Sequence, residues 1–329
     1  MTHVLNISRR QLTLGTAALS AAASVPNVLR AQGTWPNKPV KVVVPYPPGG
    51  GADTLSRLLF AKVQDDLGQP FVIENRGGGG GTIGAAVVAK AAPDGYTVLH
   101  DATAFSVNPA LLPSLPYDSA KEFVPVFLAG RVPNLLVAHP SVEAKTVADV
   151  IAQAKAANGL DWASSGNGSV QHLALELFRA RAAVQLNHIP FKGGGPALND
   201  IMGGHVKYMF SNAAASTPHV KAGKLKAIAH TGTGRLSALP DVPPVADVLA
   251  GFEAYEWNGV FLPTGTPEPI VMRLNAALNA SIAAPAVAER LAQLSIQSAP
   301  NTPADFSSFV MAETAKWTKV VRDGNIKPE

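Results

Sequence analysis

Four stretches rich in glycine or serine stand where a short β-rich run hands over to a helical pattern. They are Pro45-Tyr46-Pro47-Pro48-Gly49-Gly50-Gly51-Ala52-Asp53, Arg76-Gly77-Gly78-Gly79-Gly80-Gly81-Thr82-Ile83-Gly84, Ser164-Ser165-Gly166-Asn167-Gly168-Ser169 and Lys192-Gly193-Gly194-Gly195-Pro196. The first turn of a helix leaves backbone N–H groups without intrahelical partners. Glycine lets that backbone approach a ligand with no Cβ in the way. The helix dipole adds about half a positive charge at the same end, so such turns suit anions. Any one of them is by default a turn. Together, two on each expected lobe, they point to a shared anion cleft at the carboxyl ends of the strands.

The side chains nearby suit recognition better than bond-breaking. Ser165, Ser169 and Thr103 offer hydroxyls, and Lys192 a charge. Asp53, at a helix start, reads first as a cap and second as a ligand contact. His172 lies just inside a helix start and could donate to a bound anion, although a lone helical histidine is by default a packing or capping residue. No nucleophile has an evident base. Gly79-Gly80-Gly81-Thr82-Ile83-Gly84 fits G-x-G-x-x-G, but a glycine run satisfies that pattern trivially. No Gly-Lys-Ser/Thr occurs, and Asn167 spoils a G-x-S-x-G elbow around Ser169. The eight His show no H-x3-H pair and there is no Cys, so neither metal nor cofactor is expected.

The elements that must position these loops alternate strand and helix, the signature of α/β packing on mostly parallel sheets. Strands are expected at 40–44, 71–74, 96–100, 161–164, 187–191, 208–211 and 227–230. Helices are expected at 53–67, 82–91, 147–156, 170–180, 197–202, 267–283 and 303–323. A boundary near residue 130, at Gly130-Arg131-Val132-Pro133 between two apolar strands, and a return near residue 250 divide the chain. Residues 34–130 with 251–329 form lobe 1 and residues 131–250 lobe 2, and the C-terminal helices pack back on lobe 1.

The first 33 residues read as an export signal. Ser8-Arg9-Arg10-Gln11-Leu12 is a twin-arginine start, an apolar run to Val25 follows, and Ala31 and Gly33 are spaced as a cleavage site. No Cys follows, so no lipid anchor is expected. The formal charge of +4 belongs largely to this segment. Without it, 24 of the 27 basic residues face all 23 acidic ones, a net of +1. No basic run could track a phosphate backbone, so nucleic acid is excluded as a partner. Elsewhere no stretch has 18 uninterrupted apolar residues, so no transmembrane helix is expected.

Pro45-Tyr46-x-x-Gly49-Gly50-x-x-Asp53, Glu74-Asn75-Arg76, Ala92-Pro93-Asp94-Gly95-Tyr96-Thr97 and Asn108-Pro109-Ala110-Leu111 occur in that order. They are followed by Tyr117-Asp118, Ser164-Ser165-Gly166-x-Gly168-Ser169-x-x-His172, Phe191-Lys192-Gly193-Gly194, Trp257-x-Gly259 and Pro263-x-Gly265-Thr266-Pro267. This series, spanning the mature chain, resembles the Bug (Bordetella uptake gene) family, periplasmic substrate-binding proteins of tripartite tricarboxylate transporters. The resemblance implies a two-lobe Venus-flytrap fold that closes on its ligand and delivers it to two integral-membrane permease subunits. It also implies that the Gly49–Asp53 and Ser165–His172 loops grip one carboxylate, partly through ordered water.

The candidate ligand-binding set is Tyr46, Pro48, Gly49, Gly50, Gly51, Ala52, Asp53, Gly81, Thr103, Phe105, Ser165, Gly168, Ser169, His172, Lys192, Gly193 and Gly194. Two departures from the family pattern bear on specificity. The long Gly77–Gly81 run could loosen the mouth of the site. Asp101 could favour a cationic group on the ligand or simply face solvent. The expected molecule is a free periplasmic monomer, not an enzyme, that takes a di- or tricarboxylate, an acidic amino acid or an aromatic acid such as terephthalate. The alternatives are an exported NAD(P)-dependent oxidoreductase and a ligand-presenting sensor module.

Overall fold

Val40–Val44 is buried at every position but Lys41, as a strand covered on both faces must be. It is β1 of an α/β chain for which a computed structural model describes residues 35–157 and 159–328. The expected export signal, residues 1–33, lies outside the described residues. After β1 come α1 (Gly51–Leu67), β2 (Phe71–Asn75), α2 (Thr82–Ala89), β3 (Thr97–Ala102), α3 (Ala104–Leu111) and β4 (Phe123–Ala138). Then follow α4 (Val147–Ala156), β5 (Leu160–Ser164), α5 (Val170–Ala182), β6 (Leu186–Pro190), α6 (Gly194–Gly203), β7 (Tyr208–Asn212), α7 (Ala213–Lys221) and β8 (Lys226–His230). β9 (Tyr255–Pro263), α8 (Glu268–Ala283), α9 (Pro285–Gln293) and α10 (Pro303–Asp323) complete the order.

The helices start and stop on local chemistry. α1 buries Leu55, Leu59, Phe60 and Val63 on one face and ends at Gly68, whose φ of +69° is left-handed. α4 and α10 begin with capping boxes, Thr146 with Asp149 and Thr302 with Asp305. Three helices were not expected. α3 and α7 hold Pro109 and Pro218 internally, a residue type that disfavours a helix interior, and α9 begins on Pro285 with a single residue separating it from α8.

Strands pair in the order β2-β1-β3-β9-β4-β7-β5-β6, with β8 also on β4. β1 runs parallel to β2 and β3, and β5 parallel to β6 and β7. β9 is antiparallel to β3 and β4, and β4 antiparallel to β7 and β8. The sheet is therefore mixed: the expected parallel pairing holds for the outer strands of each half, while the strands joining the halves oppose their neighbours. Gly130–Pro133 is not a break between two strands but the middle of β4. Phe123–Pro133 pairs with β9 and Asn134–Ala138 with β7, so Pro133, which has no N–H, sits at the change of partner. Register shifts near Pro125 and Leu128 bend the strand.

Among the described residues, two of the apolar clusters along this sheet hold most of its buried aromatics. Phe105, Phe123, Trp257, Phe261 and Phe306 belong to one, and Trp162, Phe178, Phe210 and Phe252 to the other. α10 reaches both: its start buries Phe306 and Val310 in the first, and its end buries Trp317 and Val321 in the second. The C-terminal helix thus serves both halves, where the sequence suggested lobe 1. No single helix among the described residues is long and apolar enough to cross a membrane.

Candidate functional site

The loop between β1 and α1 is held from behind. Gly49, at φ +81°, donates its N–H to Asp53 Oδ2 at 2.9 Å. Asp53 also accepts from Arg57 Nε at 3.0 Å and from Asn75 Nδ2 at 2.9 Å. Burial pushes the Asp53 carboxyl up, but hydrogen bonds from Arg57, Gly49 and Asn75, with the Arg57 charge, outweigh it and bring the pKa down to about 2. Asp53 is thus turned inward as the clamp of the loop. Gly50 is the N-cap and brings no capping side chain, so the first-turn N–H groups of α1 have none over them.

Across the cleft, α6 begins after Gly193, at φ +104°, again without a capping side chain. The Gly193 N–H donates to Ser165 O at 3.1 Å, which ties the α6 start to the loop after β5. α7 differs, because its N-cap Asn212 accepts from the Ala214 N–H at 2.9 Å. Between these elements lies a cleft of about 490 Å³. It is lined by Gly49, Gly51 and Thr54 from the α1 side, and by Ser165, Gln171, Gly194, Asn212, Ala214 and Ala215 from the other side. β4 and β9 contribute Val132, Glu256 and Asn258, and the segment after α9 adds Leu294 and Ile296.

Gly49, Gly51, Ser165 and Gly194 are the sequence-predicted residues that line this cleft. Pro48, Gly50 and Ala52 are in the same loop, and Lys192 and Gly193 flank the α6 start, but none is in the lining. Tyr46 stands behind the loop, its hydroxyl donating to Asp101 Oδ1 at 2.8 Å. Gly81 packs under that hydroxyl, and a Cβ there would lie 3.3 Å from it. Thr103 Oγ1 accepts from the Trp257 N–H at 2.8 Å, and Phe105 stacks on Phe261 in the core at 4.3 Å between centroids. Neither is in the lining of the cleft.

The third loop is satisfied internally. Ser169 caps α5 by accepting from the His172 N–H at 3.2 Å and donates to Gly166 O at 2.7 Å. Gly168, at φ +71°, donates to His172 Nδ1 at 3.1 Å and packs against Leu111. The His172 ring stacks on His188 at 3.7 Å, and His188 shares a hydrogen bond with Ser164 Oγ at 2.6 Å. Burial lowers the His188 pKa to about 4, helped by the nearby His172 and Arg179 charges and opposed by Glu176. His172 therefore braces the loop rather than lining the cleft.

Neither of the two departures contributes to the lining of the cleft. The glycine run folds into a tight turn in which Gly78 to Gly81 all have positive φ, with Asn108 Nδ2 donating to Gly80 O at 2.9 Å. No residue of it lines the cleft. Asp101 neither faces solvent nor lines the cleft, because it is buried on β3. Burial raises its pKa to about 7 against the Ala102 N–H and the Tyr46 hydroxyl, while burial alone pulls neighbouring His100 down to about 3 against the Asp53 charge.

Sequence reasoning passed over Thr54, Gln171, Asn212, Glu256 and Asn258. A signal existed for Asn212, a cap residue between a strand and a helix. Glu256 and Asn258 flank Trp257, so strand alternation could have grouped them. The lining carries no Lys, Arg or His and a single carboxylate, so the electrostatics favourable to an anion come from helix starts, amides and hydroxyls. Among the described residues, no group of three His, Asp or Glu could hold a metal ion.

An α/β chain whose uncapped helix starts face one another across a cleft bridged by two strands has the architecture of a periplasmic solute-binding protein. The family model for the tripartite tricarboxylate transporter family receptor matches residues 55–326, and the chain belongs to that family. It is 36% identical to protein BugT of Bordetella pertussis over 98% of this chain and 99% of BugT. It is 38% identical to a protein from the tcbD-tcbE intergenic region of Pseudomonas sp. (strain P51), over 96% of this chain and 94% of that one. Among solved structures, an adipate-bound protein of R. palustris superimposes with a TM-score of 0.79 at 35% identity, covering 90% of this chain and 100% of its own. MatC from Rhodopseudomonas palustris with bound malate gives a TM-score of 0.74 at 36% identity, with coverage of 87% and 100%.

Proposed function

We propose that this chain is an exported periplasmic receptor that captures an organic carboxylate and presents it to the integral-membrane permease subunits of a tripartite tricarboxylate-type transporter. It acts as a free monomer whose two lobes, residues 34–130 with 251–329 and residues 131–250, close on the ligand. The observation that carries this reading is the pair of uncapped helix starts, α1 at Gly51 and α6 at Gly194, on opposite sides of a cleft with no basic side chain in its lining. Backbone N–H groups of both helices hold the carboxylate, and Ser165, Thr54 and Gln171 supply further donors. Pro48, Gly50, Ala52, Lys192 and Gly193 border the same grip. The carboxylates bound by the two R. palustris relatives support the ligand class.

The test is a thermal-shift screen of the purified mature chain against di- and tricarboxylates, acidic amino acids and aromatic acids. A ligand at a hundred times its Kd stabilises the native state by about 2.7 kcal/mol, a rise in Tm of several degrees for a chain of this size. A melting curve unmoved by the whole panel at millimolar concentration removes the proposal.

A further inference from the structure

Trp257 faces the core from the middle of β9, where it packs edge-on against Phe306 at 6.0 Å between centroids. Side chains alternate along a strand, so Glu256 and Asn258 point the other way, and both line the cleft. Glu256 accepts a hydrogen bond from Asn212 Nδ2 at 2.9 Å, and no basic group among the described residues forms an ion pair with it. The basic residue nearest in the ladder is Arg131, opposite Trp257. It lies 3.6 Å from Glu253 and over the Tyr255 ring at 4.7 Å, and so is engaged elsewhere. Asn258 is 8% exposed, and its amide nitrogen has no hydrogen-bond partner. A carboxylate with its charge unpaired and a buried donor left open therefore stand about 7 Å apart on one strand face.

Each is costly on its own. A buried amide N–H without an acceptor loses hydration for nothing, and a lone carboxylate repels the anion that the helix starts attract. A plain carboxylate ligand satisfies Asn258 and aggravates Glu256. A ligand that also carries an ammonium group satisfies both, converting a like-charge repulsion into a charge-assisted hydrogen bond.

We propose that Glu256 makes this cleft selective for carboxylates that also bear an ammonium group, with the open Asn258 amide donating to a ligand oxygen. The inference rests on the carboxylate-receptor reading and narrows its substrate class. Glu256 is the specificity-determining residue, and rejection of plain dicarboxylates follows from its unpaired charge.

Ligands matched in skeleton test it by calorimetry: succinate, malate and aspartate; glutarate and glutamate; adipate and 2-aminoadipate. In the longest series that binds, the ammonium-bearing member binds the wild type at least about tenfold more tightly than the plain diacid, as expected for a desolvated charge pair. Glu256→Gln erases that ratio, weakening the amino acid and strengthening the diacid, and Glu256→Asp keeps the preference. Apo melting curves of both variants check that they fold. The inference is overturned if the plain diacid binds the wild type as tightly as its amino counterpart, or if Glu256→Gln leaves the ratio intact. Malate equal to aspartate overturns the requirement for charge. If no member of any series binds, or if only plain diacids bind, this inference fails, and the carboxylate reading then stands or falls on the full thermal-shift panel.

Discussion

Three buried titratable residues within reach of the α1 loop respond to pH in opposite directions. Asp53, held down to about 2, contributes stability that is present above its unfolded value of 3.8 and is lost as pH falls through 2. Asp53→Asn is expected to cost about 1–2 kcal/mol near neutral pH, after allowing for the exposure of its Arg57 partner. Chemical denaturation at pH 7 measures this. Asp101 has the opposite sign. With a folded pKa of about 7, its contribution is fully present below 3.8 and is lost as pH rises through 7. His100, lowered to about 3, stabilises above its unfolded value of 6.5 and loses that as pH falls. Asp101→Asn retains an oxygen to accept from the Ala102 N–H and the Tyr46 hydroxyl while removing the ionisation. Its Tm should exceed that of the wild type most at pH 8, with the gap shrinking steadily toward pH 4. A gap that stays flat or widens on acidification contradicts the assignment.

At the scale of elements, β9 places side chains on two sides at once. Trp257 and Gly259 face the core, and Gly259 is needed there, because a Cβ would sit 2.1 Å from Phe306 Cζ. Gly259→Ala is expected to destabilise by about 1–3 kcal/mol through overpacking. The Phe306 ring belongs to α10, so near-ultraviolet circular dichroism should register the displaced aromatic cluster. The α10 start offers a separate handle. Thr302→Ala removes the acceptor for the Asp305 N–H at 3.1 Å and should cost about 1 kcal/mol, with ligand affinity unchanged. A large loss of affinity in this variant would mean that α10 takes part in the cleft and not only in the two cores.

For the whole molecule, the decisive feature is that the two halves of the sheet share β4 and that α10 packs into both cores. Closure of the proposed lobes would therefore have to bend the β4 and β9 crossings, with α10 following. Small-angle scattering of the mature chain should show a smaller radius of gyration with saturating ligand than without. An unchanged radius alongside a raised Tm would leave the receptor reading in place and overturn closure.

The handover points were legible in sequence because helix starts, glycine turns and caps depend on neighbours a few residues away. The loops at Gly49–Asp53 and Lys192–Gly194 and the pattern of short strands came from that local chemistry alone. The continuity of β4, the inward turn of Asp53, the burial of Asp101 and the division of labour along β9 did not. The first and last are set by the pairing of Phe123–Pro133 with Tyr255–Pro263, residues more than a hundred positions apart. The burial of Asp101 is set by the pairing of β3 with β9 under the Tyr46 hydroxyl, and the inward turn of Asp53 in part by the Asn75 amide on β2. No local periodicity encodes these contacts. The sequence by itself determined that glycine-rich helix starts, with few charges around them, offer an anion backbone amides rather than basic side chains. Only the tertiary structure decided which side chains share that cleft with the anion, because the facing of a strand residue is fixed by the partner strand and by the core behind it.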